Sequence, residues 1–429
     1  MTEALRSAVE DVYRRERRGV VATLIRVCGG DFEMAEDVVQ EAFQAALDRW
    51  PDEGLPQNPV GWITVTARRK AIDRLRRRQS FDRKEGDIRA SQQRGGTARS
   101  TGKTATFDPP SVTDPVRDDE LRLIFTCCHP ALSREAQIAL TLKVVGGLST
   151  AEIARGFLAS PTTMAQRIVR AKRKIRDAGI PYEVPDEPEI EERLGAVLGV
   201  IYLVFNEGYA STESPELLRI HLCREAIRLA HLVVELVPGH PEAQGLLALL
   251  VIHDARREGR IGPDGQLIPL EEQDRSRWNR SQIAIGRAIL DRAFRHRHLG
   301  PYQLQAAIAA EHAMAQSAAD TNWARITHYY DRLLELHDTP VIRLNRAVAV
   351  AMDSGLEDGL AQMDALADEK LMARYHLFHA ARADLLRRLE RREESAAAYR
   401  EALRFTTSPV ERQYLETRLH EVDGPATSG

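Results

Sequence analysis

Two helix starts stand eleven residues apart between Leu148 and Arg176, and no other stretch of this 429-residue chain constrains the fold as tightly. Ser149-x-x-Glu152 is a capping box, in which a hydroxyl and a carboxylate satisfy the first backbone donors of a helix. The spacing predicts a helix from Thr150 to about Phe157, with Ile153, Ala154 and Phe157 as its buried stripe. Ser160-Pro161 then restarts a helix, with Ser as N-cap and Pro at the first helical position. On that second helix Met164, Ile168, Ala171 and Ile175 share one face. The other faces carry Thr162, Thr163, Gln166, Arg167, Arg170, Lys172, Arg173 and Lys174. A short helix, a tight turn and a basic second helix with an apolar back is the form that major-groove docking requires. The same residues also describe an ordinary helical hairpin with a solvated basic face.

An earlier stretch carries a different pattern. Ala35, Val38, Val39, Ala42, Phe43, Ala46, Leu47 and Trp50 repeat at three- and four-residue spacing, which predicts an amphipathic helix over Ala35–Trp50. Its outer face holds Glu36, Asp37, Gln40, Glu41 and Gln44. A Pro/Gly loop from Pro51 to Pro59 follows, then a helix from Gly61 to about Arg78. Trp62, Thr66, Arg69, Asp73 and Arg76 form one stripe of that helix, flanked by Lys70 and Arg77. Val65 and Ile72 share the neighbouring face and are expected to meet the core. An aromatic ring among cations suits a strand of unstacked bases, since the ring stacks and the cations hold phosphates. The competing reading is a solvated basic helix with Trp62 in the core.

Together these motifs resemble regions 2 and 4 of extracytoplasmic-function sigma factors. The region 2 likeness rests on Ala35-Glu36-Asp37-Val38-Val39-Gln40-Glu41-Ala42-Phe43, on Trp62-Ile63, and on Ala67-Arg68, Ala71, Asp73 and Leu75-Arg76. The region 4 likeness rests on Leu148-Ser149, Glu152-Ile153-Ala154 and Arg167-Ile168-Val169-Arg170-Ala171. Further along, Asn206-Glu207-Gly208-Tyr209, Asp264-Gly265-x-Leu267, Gln273 to Trp278 and Gly300 to Ile308 resemble a subgroup with a long tetratricopeptide-like C-terminal extension. The resemblance implies an all-α chain: a region 2 helical bundle over 1–80, a flexible linker over 81–115, a region 4 helix-turn-helix over 116–180, and a TPR-like helical solenoid over 181–429.

The resemblance also implies roles. Asp37, Gln40 and Glu41 would dock on the β′ clamp of core RNA polymerase, and region 4 on the β flap. The loop Trp50–Val60 would border a pocket for a flipped base of the promoter −10 element. Trp62, Thr66, Arg69, Lys70, Asp73, Arg76 and Arg77 would hold the melted strand. The second helix of region 4 would enter the major groove at the −35 element, with Ala165, Gln166 and Val169 at base-reading positions. Thr163, Arg167 and Arg170 would face phosphate, and Thr162 and Arg173 complete that surface. Ala165 stands where many members carry a basic residue; it offers only a methyl contact to thymine, while Gln166 has the geometry to read adenine.

Charge agrees with this division. The formal net charge is −3. It divides into +7 over residues 1–180 and −10 over 181–429. A basic N-terminal part suits phosphate. An acidic C-terminal part suits folding back on it or repelling stray DNA, and equally suits no regulatory purpose. No signal peptide and no 18-residue apolar run is present, so the expectation is a cytoplasmic protein with no membrane partner. Cys127-Cys128-His129 invites a metal reading, but adjacent cysteines seldom face one ion and a fourth ligand is not evident. We expect no metal and no cofactor. Residues Gln79–Pro115 offer few apolar side chains to bury, and we expect them to be flexible.

The tail repeats at close to the 34-residue tetratricopeptide period. Tyr330/Leu333, Met363/Leu366 and Tyr399/Ala402 stand 33 and then 36 residues apart, as do Met314, Ala347 and Ala383, with Pro340 and Pro409 closing units. Gly262-Pro263-Asp264-Gly265 signals a turn. Asn206-Glu207-Gly208-Tyr209 reads as a ligand spot or, more simply, a helix-ending turn. No P-loop, G-x-G-x-x-G, H-E-x-x-H or G-x-S-x-G occurs, so no enzyme is expected. The first functional reading is an alternative sigma factor whose tail regulates it, intramolecularly or through a protein partner. The second is a helix-turn-helix regulator or TPR adaptor that never replaces a sigma subunit. A third is a sensor whose tail binds a small ligand.

Overall fold

No strand occurs among the described residues, and the chain is built from helices throughout. The computed structural model describes residues 16–17, 19–92, 115–157, 159–185, 187–210, 216–260, 262, 268–406 and 408–423. The chain divides into two compact units, Met1–Val200 and Ile201–Gly429.

In the first unit residues 19–27 are helical and lead into the helix Phe32–Glu53. Asp31 caps that helix by accepting a hydrogen bond from Met34 N at 3.0 Å. Gly54 ends it with φ at +83°, and its N–H returns to the Trp50 carbonyl at 3.0 Å. This is the left-handed stop that glycine adopts without a Cβ penalty. The next helix runs Pro59–Gln92. It lies against the first through Ile63, Ala67 and Ala71, all buried, opposite a wall that includes Val38, Ala42 and Trp50. Val65, expected in this core, is instead 49% exposed, and Ile72 is half-buried. The buried stripe runs 63-67-71, one side away from the face assigned from sequence. The same helix continues fourteen residues past Arg78, through the first part of the stretch expected to be flexible. Arg83, Lys84, Glu85 and Ala90 are good helix formers, and a helix needs no buried face to persist over such residues. The rest of the expected linker, 93–114, lies outside the described residues.

Among the described residues, Pro115–Cys127, Arg134–Leu140 (continuing as a π turn over Thr141–Val145), Thr150–Gly156 and Pro161–Asp177 follow, before Glu187–Ala210 runs across the boundary at Val200. Pro161–Asp177 packs on both short helices before it. Polar ties join this set to residues 19–53. Lys172 Nζ meets Glu36 at 2.6 Å, and Arg26 Nε meets Asp119 at 2.8 Å. The Tyr182 hydroxyl lies 3.0 Å from the carbonyl oxygens of both Ala22 and Asp119.

In the second unit Pro241–Ala255 packs against Arg280–Phe294 and Pro301–Met314. Gly245 permits the second contact, since a Cβ there would stand 2.7 Å from Gln303 N. Beyond Trp323 the helices Trp323–Leu336, Pro340–Asp353, Leu356–Asp364, His376–Arg388, Arg392–Phe405 and Pro409–Asp423 each pack on their neighbours in sequence. Ala347, Met363, Leu366, Ala383, Tyr399 and Ala402, from the repeat pattern, share one core. Met314 departs from it and is 43% exposed. Pro340 and Pro409 sit in the first turns of helices rather than closing units, where a missing N–H costs nothing. Asn206-Glu207-Gly208-Tyr209 is helical and forms the last described turn of Glu187–Ala210. Tyr209 stacks on Phe205, and its ring is covered by the Arg260 guanidinium at 3.8 Å. Of the expected turn near residue 264, Ile268 N bonds the Arg260 carbonyl at 2.8 Å; residues 263–267 lie outside the described residues.

Candidate nucleic-acid and polymerase interface

The capping box forms as its residue types dictate. Ser149 N donates to Glu152 Oε2 at 2.7 Å, and Glu152 N donates to Ser149 Oγ at 3.1 Å. The second start is equally regular: Thr163 N donates to Ser160 Oγ at 3.1 Å, with Pro161 at the first helical position. These two caps fix the angle at which Pro161–Asp177 leaves the turn. Met164, Ile168, Ala171 and Ile175 are all buried on its back. Burying one such large aliphatic side chain contributes about 1.5–3 kcal/mol, so the back of the helix sets its rotation. With that rotation fixed, Thr162, Thr163, Ala165, Gln166, Val169, Arg170 and Arg173 are exposed, and Arg167 is half-buried. Val169 is 44% exposed, an apolar side chain held in solvent beside Gln166 and Arg170. Lys172 departs from this outer set. Its ammonium is turned inward to Glu36 and is only 9% exposed.

The earlier pair of helices brings the other predicted residues together. Asp37 and Gln40 are exposed and Glu41 is half-buried. Glu41 accepts from Lys70 at 3.0 Å and from Arg74, which also reaches Asp37 at 3.3 Å. The hydrogen bond from Lys70, with the charge of Arg74, holds the Glu41 carboxyl below its usual range. Lys70 was assigned from sequence to the melted strand; here it faces Glu41. Arg74 was missed. Its signal was present, because Asp37/Glu41 and Lys70/Arg74 are two four-residue spacings of opposite charge on adjacent helices. On the same helix Arg69, Asp73, Arg76 and Arg77 are exposed. Trp62 and Thr66 are half-buried, and the Trp62 ring stands edge-on to the buried Trp50 at 5.5 Å. Trp62 is thus not wholly in the core: it packs on Trp50 and keeps part of its surface accessible. The helix runs through Pro51 to Glu53, so the loop begins three residues later than expected from sequence, and in it Leu55 is 51% exposed.

The cysteines take no part in this surface. Cys127 and Cys128 are buried, and burial pushes both thiols up, Cys128 to about 11. Among the described residues no group of three or more His, Cys, Asp or Glu side chains is placed to hold a metal ion. No helix among them is long and apolar enough to cross a membrane.

Comparison with known proteins matches these surfaces to their families. The Sigma-70 region 2 family matches residues 12–81, and the Sigma-70, region 4 family matches residues 122–175. A family of unknown function (DUF6596) matches residues 193–294. The chain is 41% identical over 400 residues to the uncharacterized protein R00370 of Rhizobium meliloti (strain 1021), covering 92% of each. It is 29% identical over 177 residues to a probable ECF RNA polymerase sigma factor, SigI, of Mycobacterium tuberculosis (strain ATCC 25618 / H37Rv), covering 41% of this chain and 57% of that one. It is 26% identical over 174 residues to the ECF RNA polymerase sigma factor SigK of Mycolicibacterium vanbaalenii, covering 39% and 80%. With both sigma regions matched in order ahead of a helical extension, the chain belongs to the extracytoplasmic-function sigma-70 factors, alternative sigma factors that direct RNA polymerase to promoters.

Proposed function

We propose that residues 1–80 bind core polymerase and the −10 element, that 116–180 bind the −35 element, and that 181–429 form a TPR-like regulatory or partner-docking module joined by the linker 81–115. The protein acts in the cytoplasm and has no active site of its own. In this reading Asp37, Gln40 and Glu41 dock on the β′ clamp, and region 4 meets the β flap. Trp62, Thr66, Arg69, Asp73, Arg76 and Arg77 hold the melted strand. Lys70 reaches it only after leaving Glu41. The observation that carries the −35 assignment is the exposed row Thr162, Ala165, Gln166, Val169, Arg170 and Arg173 over a fully buried back. Gln166 would read a base edge, and Thr163, Arg167 and Arg170 would position the helix on phosphate.

Run-off transcription with purified core polymerase and genomic fragments tests this. Discrete new starts are expected only when the protein is added. Reversing charge at Asp37 and Glu41 together should lower core-polymerase binding by at least a hundredfold in a pull-down titration. A helix-turn-helix regulator outside the polymerase would tolerate that change, so unaltered core binding would sink the assignment. Truncation near residue 182 tests the extension: equal transcription by the fragment and the full chain would remove its regulatory role.

A further inference from the structure

The second unit encloses a cavity of about 290 Å³ that neither sigma region needs. One side is apolar, lined by Leu270, Trp323, Tyr330, Val348, Met352 and Leu385. The other side presents Arg275, His312 and Thr321. A space of this size takes one ring system or a short aliphatic chain, near the lower end for small-molecule sites.

The charge on that second side is unusual. Arg275 is 6% exposed. One terminal nitrogen donates to the carbonyls of His312 at 2.8 Å and Ala315 at 2.9 Å, and the other to Thr321 Oγ1 at 3.4 Å. Three of its five N–H groups are used, and no carboxylate lies within ion-pair distance among the described residues. Arg256, 7% exposed, likewise makes no ion pair, and its Nε has no protein partner. Both guanidinium groups lie over the buried Trp278 ring, at 4.9 and 5.6 Å. Burial, with those two cations nearby, pushes His312 down to about 3, so the imidazole is neutral. The carboxylates on the lining are already engaged. Glu271 pairs with Arg388, and Asp384 with Arg387 at 2.6 Å and Arg388 at 2.7 Å. Buried cations are ordinarily paired, because an unpaired charge away from water is expensive. Here Arg275 stands in the wall of an apolar cavity with no carboxylate of the described residues in ion-pair contact, Asp320 acting on it only from farther off.

We propose that this cavity binds a small organic anion: a monocarboxylate whose head group meets Arg275 and whose apolar body lies against Trp323 and Tyr330. The cavity mouth continues past Glu271 and Ala318 into an open groove lined by Gln273, Ser276 and Met314, which gives the ligand a way in. Charge recognition comes from the guanidinium and selectivity from the aromatic wall.

Isothermal titration of the full chain tests this, with 3-phenylpropionate, indole-3-propionate and octanoate as probes, each beside its neutral primary amide. At least one carboxylate should bind saturably, and at least tenfold more tightly than its amide. Ala381→Phe and Asn345→Trp fill the cavity from its wall without touching Arg275. Whichever of them keeps the native melting temperature should lose the binding at least tenfold. Saturable binding by none of the three acids, equal binding by acid and amide, or full affinity in a filled variant would overturn the proposal. Because the readout is binding alone, a failed sigma-factor assay leaves this result standing, and the reverse is also true.

Discussion

Arginine is used in opposite ways in the two units. On the Pro161–Asp177 helix Arg170 and Arg173 stand in solvent on an apolar back, poised for a partner outside the chain. In the second unit Arg256 and Arg275 are buried on a tryptophan, and Arg275 is held by backbone carbonyls. The difference teaches that a count of cations says little about charge available to nucleic acid. The acidic C-terminal half contains two of the least exposed arginines of the chain, and the basic N-terminal half spends Lys70, Arg74 and Lys172 on its own carboxylates. A guanidinium in solvent is open to nucleic acid; one buried among carbonyls is closed to it and costly to remove.

The contrast can be broken or sharpened by measurement. Arg275→Met strands the carbonyls of His312 and Ala315 and should destabilise the chain by about 3 kcal/mol in urea denaturation, with promoter binding by intact protein unchanged. A loss of less than 1 kcal/mol would mean that these carbonyls find other partners. Acid should come next. His312 titrates near 6.5 when unfolded and near 3 when folded, so the unfolded chain takes up more protons below pH 6.5. Its contribution is complete above pH 6.5 and is lost as pH falls toward 3, about 2 kcal/mol of it by pH 5. Comparing His312→Gln with the parent at pH 7 and pH 5 should show the variant losing that much less. On the outer helix, Arg170→Ala should weaken binding to all −35 sequences alike, by about 1 kcal/mol, and shallow the salt dependence by about one charge. A change confined to one sequence would make Arg170 a base reader instead. Least of all should be Arg404→Ala, whose partner Glu401 is an exposed neighbour three residues away; a melting curve should register under about 0.5 kcal/mol.

Much of the fold was legible because its signals are local. Both caps of the helix-turn-helix, and the back formed by Met164, Ile168, Ala171 and Ile175, follow from spacing alone. The rotation of Pro59–Gln92 was not legible in full. Trp62 drew the stripe toward itself, whereas the tight approach to the first helix selects the small residues Ala67 and Ala71. The end of that helix was not legible because the scarcity of apolar side chains over Gln79–Pro115 disfavours burial but does not disfavour a helix. Arg74 pairs with Asp37 and Lys172 with Glu36 across helices, 37 and 136 residues away; the first pairing shows in matched four-residue spacings, the second in no local pattern. The cavity was out of reach as well: its lining is gathered from Leu270 to Arg388, and although Arg275 and Tyr330 each belong to a local pattern, nothing local joins them.

The ties inside the first unit carry one more consequence. Glu36 and Asp119 each receive cations on one oxygen, while Glu36 Oε1 and Asp119 Oδ2 are buried with no protein partner. A buried acceptor left unsatisfied costs about 1–3 kcal/mol, comparable to what the paired oxygen gains. The joints at Lys172 and Arg26 are therefore exacting in geometry yet nearly neutral in energy. They act as alignment pins rather than as rivets: they set where Pro161–Asp177 rests on Phe32–Glu53 and where Pro115–Cys127 rests on residues 19–27, and they resist little when something pulls those helices apart.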